Sequence, residues 1–208
     1  MRVLELFSGT GSVGNIAKRK NWEVLSLDLI NADINCDILK WDYTKYPPGY
    51  FDIIWASPPC NTFSIMQNAL KTKAEIYENI NKHGLPILRK TEEIIKYFAP
   101  KLYFIENPQT GKMKEFINDK PFYDVDYCRY CDWGYKKRTR IWTNLENFNN
   151  LKCDKNCGNT VNINGHIVHR VNCGNTRILK LTGTKTTLKE RYRIPPNLVS
   201  ALFDAISI

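Results

Sequence analysis

No stretch of this 208-residue chain approaches the roughly 20 consecutive apolar residues that a membrane-crossing helix needs, which excludes a helical membrane protein and a membrane partner. The chain opens directly on the apolar run MRVLELF, without the basic segment that precedes the hydrophobic stretch of a secretory leader. The expectation is an intracellular, cytoplasmic protein. No internal repeat is present. Acidic residues are outnumbered, with 21 Asp and Glu against 30 Lys and Arg, and the resulting net charge of +9 suits a polyanion whose counterions are released on binding. An Asn-, Ile- and Lys-rich composition gives the same charge without such a partner, so charge alone does not decide. The seven cysteines are an odd set with no secretory leader, and they read as free thiols, a nucleophile or metal ligands rather than a disulfide framework.

What is present is an alternation. Val3–Phe7, Val24–Leu29, Phe51–Ala56 and Leu102–Ile105 are short apolar or β-branched runs that read as strands, with helical patterns between several of them. Leu85, Leu88, Ile94, Ile95 and Phe98 share one face of a predicted crossover helix over 85–98, and a further helix is expected around Ile76 to Asn81. The fold class is therefore α/β, with a parallel sheet and crossover helices. From about Thr143 to Arg191 the periodicity gives way to Asn, Gly, Cys and Thr, the pattern of a small loop-rich module. Pro195 and Pro196 then introduce a last amphipathic helix carrying Leu198, Val199, Leu202, Phe203 and Ile206. The expected division is a catalytic domain of residues 1–142 plus 192–208, with the inserted module at 143–191, acting as a monomer.

Between the first strand and the first helix stands Phe7-Ser8-Gly9-Thr10-Gly11-Ser12-Val13-Gly14, which satisfies the G-x-G-x-x-G spacing of a loop whose backbone approaches a nucleotide-like cofactor. Asp28 ends the second strand, where a carboxylate accepts hydrogen bonds from ribose hydroxyls. Asp37 and Ile38 follow a third strand and are expected near an adenine amino group, with Asp42 as a neighbouring competitor. A nicotinamide-dependent oxidoreductase uses the same loop, although no hydride-transfer partner is evident here.

Three further motifs follow in order: Ser57-Pro58-Pro59-Cys60 after the fourth strand, Glu106-Asn107-Pro108 after the fifth, and Lys136-Lys137-Arg138-Thr139-Arg140 before Ile141 and Trp142. Together with LELFSGTGSVG they resemble the cytosine-5 DNA methyltransferase family, and most of all its short members carried by phages and large viruses. The resemblance covers about residues 1–142 and the terminal helix. It departs from the family at Pro108, where valine is usual, at Lys136, where glutamine is usual, and at Arg193-Ile194-Pro195-Pro196, where Gly-Asn-Ser is usual. It implies a Rossmann-like methyltransferase domain holding S-adenosylmethionine among Phe7, Ser8, Gly9, Thr10, Gly11, Gly14, Asp28, Asp37, Ile38, Ser57 and Pro58.

The resemblance also implies the chemistry. Carbon 5 of cytosine is a poor nucleophile until a thiolate adds at carbon 6 and turns the ring into an enamine, and Cys60 is the expected thiolate. Arg138 or Arg140 is expected to stabilise that anion. Glu106 is expected to contact ring nitrogen 3 as a carboxylic acid, with Asn107 orienting it or the base. The base must leave the DNA stack, at a cost of a few kcal/mol, and Lys136, Lys137, Arg138 and Arg140 are the expected phosphate contacts offsetting it. RNA remains an alternative substrate, because family members act on either polymer, and a weakly active DNA-binding relative is a further alternative. An amino methyltransferase is disfavoured because its loop carries an aromatic residue after Pro-Pro, where this chain has Cys60.

Two readings stay open for the cysteines of this segment: a structural zinc ion, with Cys153, Cys157, His166 and Cys173 as the preferred ligands in a segment too polar to build its own core, or a loop whose thiols are incidental and whose Lys and Arg grip DNA. Cys128 and Cys131 form another C-x-x-C pair, but Cys128 is expected in a strand, and the overall spacing fits no standard finger. His169 is the remaining histidine of the segment. The module falls where the resembled family recognises its target sequence.

Overall fold

In the computed structural model, which describes residues 1–173 and 180–206, the apolar runs become neighbours in one seven-stranded sheet. Its strands are β1 (Arg2–Leu6), β2 (Glu23–Asp28), β3 (Ile34–Asn35), β4 (Ile53–Ala56), β5 (Leu102–Pro108), β6 (Phe122–Asp126) and β7 (Arg138–Thr143). Their order is β3-β2-β1-β4-β5-β7-β6. β1 to β5 pair in parallel, and β7 runs antiparallel to both β5 and β6. The expected α/β class and parallel sheet are present, in the Rossmann-like arrangement.

Parallel strands are buried on both faces, and β1 and β4 follow that rule, with every residue from Val3 to Leu6 and from Ile53 to Ala56 buried. Because side chains alternate across a strand, Val3, Ile53, Trp55 and Phe104 face one layer while Leu4, Leu6, Ile54, Ala56 and Ile105 face the other. The first layer is closed by α1 (Ser12–Arg19) and the C-terminal helix Pro196–Asp204, which buries Leu198, Val199, Leu202 and Phe203 at about 1.5–3 kcal/mol each. Trp55 and Phe104 stack at 5.1 Å inside it. The second layer is closed by α2 (Lys73–Asn79) and α3 (Leu85–Phe98), joined through a π-helical turn at Ile80–Gly84. α2 starts before the expected Ile76 because Thr72 and Glu75 form a capping box that satisfies the first turn.

The loop-rich segment contains more regular structure than its composition announces. β8 (Thr160–Ile163) and β9 (His166–His169) form a separate hairpin whose turn residues, Asn164 and Gly165, have φ of 51° and 78°. Asn-Gly is the pair that a two-residue turn with both residues left-handed prefers. A short helix, α4 (Leu188–Tyr192), is again opened by a capping box, Thr187 with Glu190, and α5 is the helix Pro196–Asp204. Leu145 and Phe148, inside the segment assigned to the module, pack in the same core layer as α5. The hairpin is tied to the β6–β7 connection by buried Asn159, whose amide donates to the carbonyls of Cys128 and Cys131 and accepts the N–H of Gly134. Cys128 sits in a helical turn at Tyr127–Arg129, after β6, and not in a strand.

Candidate active site

β1 lies between β2 and β4, so the chain's crossovers turn opposite ways on leaving β1 and on leaving β4, and a crevice opens at the carboxyl ends of these two strands. The glycine loop follows β1 and the Pro-Pro-Cys loop follows β4, and Glu106 and Asn107 end β5 beside them. Topology thus gathers motifs that lie up to 100 residues apart in sequence.

The glycine loop turns sharply because Phe7, Gly9 and Gly11 have φ of 60°, 48° and 66°. Phe7 therefore leaves the strand and packs against the core. Asp28 reaches back 19 residues, accepting the N–H of Gly9 at 2.8 Å and also that of Leu29 at 2.7 Å. Beneath the loop lies an acid with no place in the expected site. Glu5, 3% exposed, accepts the N–H groups of Val13 and Gly14 at 3.1 and 2.9 Å, at the amino end of α1. Burial pushes its carboxyl up to about 7, against the opposing pull of those two donors. A Cβ on Gly14 would stand 2.6 Å from Glu5 Oε2 and 3.1 Å from Val24, so close packing demands glycine there. Ser12 accepts the N–H of Ile194, fastening the loop to the chain just before α5. Thr10 and Ser12 hydroxyls meet at 2.7 Å. Asp37 caps the N–H of Leu39, while Ile38 is buried in the core, so it offers the crevice only its backbone.

The Pro-Pro-Cys loop is anchored at both ends. Ser57 donates its N–H to Leu6 and accepts the indole N–H of Trp55, and buried Asn107 donates to the Pro58 carbonyl at 2.9 Å. On the other side Phe63, buried in the core, donates its N–H to the Cys60 carbonyl. Cys60 itself is half-buried. Burial raises its thiol pKa above the ordinary value; Lys137 and Arg191 pull it down and Glu106 adds to the rise. Glu106 is buried, accepts the Tyr127 hydroxyl at 3.0 Å and has the Lys137 ammonium 3.5 Å away. Lys137 is fixed further by donating to the Arg191 carbonyl at 3.0 Å.

The cation beside Glu106 is thus Lys137, and the two arginines stand elsewhere. Arg138 makes a two-pronged pair with Asp126, and Arg140 with Asp124, both across to β6. The guanidinium of Arg140 also lies 3.6 Å over the Phe122 ring. Strand alternation is the reason: residues 138 and 140 face one side of β7, and 137 and 139 face the side of Tyr127 and Glu106. Lys136, expected at a phosphate, donates to the Cys153 carbonyl and stands 3.4 Å from Asp126. All four residues of the expected basic patch have partners within the protein. Lys137, expected at a phosphate, stands instead beside Glu106 and Cys60, and Tyr127 and Arg191 are neighbours of that pair with no role in the sequence reading; only the fold brings them together.

Compared with curated proteins, the chain is 43% identical to a probable DNA (cytosine-5)-methyltransferase of Frog virus 3, isolate Goorha, over 98% of this chain and 99% of that protein. The chain belongs to the DNA (cytosine-5)-methyltransferase family. No family model matches it. Among solved structures, the Entamoeba histolytica methyltransferase EhMeth shares the fold, with a TM-score of 0.52 and 18% identity over 73% of this chain and 55% of that one. Among the described residues of the methyltransferase, no helix is long and apolar enough to cross a membrane.

Methyltransferases of this family draw the methyl group from S-adenosylmethionine, and the crevice fits such a group. The positive φ angles at Gly9 and Gly11 turn the loop at two positions that carry no Cβ, so its backbone can come close to a nucleoside or amino acid held in the crevice. Asp28 stands at the loop with its carboxylate partly exposed.

Away from the crevice the methyltransferase gathers a second set of groups. Cys128, Cys153, Cys157 and His169 bring three sulfurs and an imidazole nitrogen within 4.8 Å of one another. Cys153 and Cys157 are the residues expected there, but His166 and Cys173 are not among the four. His166 opens β9 exposed to solvent, and three residues along a strand place it on the face opposite His169. Cys173 is half-buried near Thr186. Cys128 enters because the turn after β6 aims its thiol at the loop of Cys153.

Proposed function

We propose that this protein transfers the methyl group of S-adenosylmethionine to carbon 5 of a cytosine extruded from DNA, with Cys60 as the covalent nucleophile. The observation that carries this reading is the convergence of Cys60, Glu106 and Lys137 beside the glycine loop, at the carboxyl ends of parallel strands, in a chain of this family. When bound, S-adenosylmethionine supplies an electrophilic methyl carbon.

The chain's own residues do the rest. Deprotonated Cys60 adds to carbon 6, and the pair of electrons displaced from the 5,6 double bond makes carbon 5 nucleophilic. Glu106, held by Tyr127 and Lys137, acts as a carboxylic acid whose O–H donates to ring nitrogen 3, where negative charge develops as the sulfur adds. Asn107 holds the Pro58 carbonyl and so fixes the loop that carries the thiol. Once carbon 5 bears the methyl group its proton leaves to a base, the double bond re-forms, and the thiolate of Cys60 departs. Ile65, Met66 and Leu70 are exposed on the segment just beyond Cys60, apolar side chains of the kind that wedge into an opened base step.

Residues 1–142 with 192–208 are read as the catalytic domain, and 143–191 as the module that meets the target sequence. The protein is read as a monomer acting on DNA inside the cell, in keeping with the viral origin of its relative. The test is transfer of labelled methyl to duplex DNA, single-stranded DNA and tRNA by the native protein and by Cys60→Ala. Methylated cytosine in DNA and its loss in the variant are expected, together with covalent trapping on a 5-fluorocytosine duplex. Product on an exocyclic nitrogen, or full activity in Cys60→Ala, overturns the reading.

A further inference from the structure

We infer that the protein holds a structural zinc ion through Cys128, Cys153, Cys157 and His169, and that this ion pins the β8–β9 hairpin to the end of β6. The donor set points to the metal: three thiols and one imidazole, with no carboxylate in the group, form a soft to borderline site that zinc fills tetrahedrally. Zinc–sulfur and zinc–nitrogen bonds of about 2.3 and 2.0 Å place tetrahedral ligand atoms about 3.5–3.8 Å apart. The Nε2 of His169 lies 3.6 Å from the Cys153 sulfur and 3.4 Å from that of Cys157. Cys128, Cys153 and His169 are buried, and Cys157 is half-buried.

The backbone around the thiols supplies an independent sign. The N–H of Lys155 donates to the Cys153 sulfur at 3.2 Å, and the N–H of Asn159 points at that of Cys157. Both turns rely on left-handed residues, Lys155 at φ 69° and Gly158 at φ 73°. Backbone N–H groups two residues on, aimed at sulfur, are what stabilises a thiolate bearing a metal, whereas a neutral thiol does not require them.

The topology gives the ion its role. Its ligands come from the turn after β6, the loop 153–157 and the end of β9, three segments with no shared ladder. A two-stranded hairpin is marginal by itself, and this one has no large apolar face of its own. With all four positions taken by side chains, no coordination site is open to substrate, so the ion is structural. Its hold reaches β7, the neighbour of the strand that carries Glu106: the N–H of Cys153 donates to buried Asp126, which holds Arg138 of β7, and Lys136 donates to the Cys153 carbonyl.

Elemental analysis of the full-length protein is expected to give one zinc per chain, and cobalt exchange is expected to give tetrahedral visible bands with thiolate-to-metal charge transfer. Cys157→Ser, at the most exposed ligand, loses the metal, whereas His166→Ala and Cys173→Ser retain it. His169→Cys keeps a four-ligand set and retains the metal, which separates loss of a ligand from loss of the fold. Chelator treatment is expected to speed amide exchange in β8 and β9 while β1 and β4 stay protected. Protein that takes up no zinc even when supplied with it, metal retained by Cys157→Ser, metal lost from Cys173→Ser, or a disulfide within the cluster overturns the proposal. These readouts do not depend on methylation, so their failure is distinct from failure of the proposed reaction.

Discussion

Lys137 and Glu106 form an ion pair at 3.5 Å with both side chains nearly buried, and the same lysine is the main cation acting on the Cys60 thiol. Burial raises that thiol, so the thiolate grows as pH rises through a value above the ordinary cysteine range. Lys137→Met removes the opposing charge and drives the pKa higher, each unit cutting the thiolate at neutral pH about tenfold. The pH profile of Cys60 alkylation is expected to shift upward in Lys137→Met and to return toward native in Lys137→Arg. An unshifted profile would show that the pair is structural only.

Asn107 ties the end of β5 to the loop carrying Cys60, through its bond to the Pro58 carbonyl. Asn107→Ala leaves that buried carbonyl without its donor, at a cost of about 1–3 kcal/mol. Denaturant titration is expected to find that loss, and kcat is expected to fall more than affinity for S-adenosylmethionine changes, because the glycine loop is held separately by Glu5 and Asp28.

Glu5 governs stability across mildly acidic pH. Its carboxyl titrates near 7 in the folded protein against 4.5 ordinarily, so the folded state binds the proton more tightly than the unfolded state. Stability is therefore highest below about 4.5 in this group's contribution and falls as pH rises toward 7, by up to about 3 kcal/mol. Melting temperatures measured over that window are expected to decline for the native protein and to decline less in Glu5→Gln.

Arg140 is paired with Asp124 and lies over Phe122, a placement that predicts a part in stability. Arg140→Ala strands a largely buried carboxylate, and breaking such a pair costs about 3–5 kcal/mol. Unfolding experiments check this. Asp124→Asn combined with Arg140→Gln is expected to recover part of the stability, and methylation with it; a catalytic Arg140 would leave the double variant inactive.

The strands and the crossover helix were legible because burial on both faces of a parallel sheet writes short apolar runs into the sequence, as in VLELF and FDIIWA. The glycine loop was legible because the left-handed backbone at positions 9 and 11 favours glycine and the crowding at 14 leaves no room for a Cβ. Glu5 left a trace, an acid inside an apolar strand, that gains meaning only once α1 aims its N–H groups at it. The hairpin also left a trace in Asn164-Gly165, masked by the polar composition around it.

By itself the sequence determined the alternation of the parallel strands with their helices, the place of the Pro-Pro-Cys loop after β4, and the glycine loop after β1, because each is written in neighbouring residues. Tertiary structure alone decided which cation faces Glu106, that Arg138 and Arg140 turn toward β6, and that Cys128 and His169 join Cys153 and Cys157. Those choices depend on strand register and on which side of a strand a residue faces, and a shift of one residue reverses the facing without altering composition or spacing.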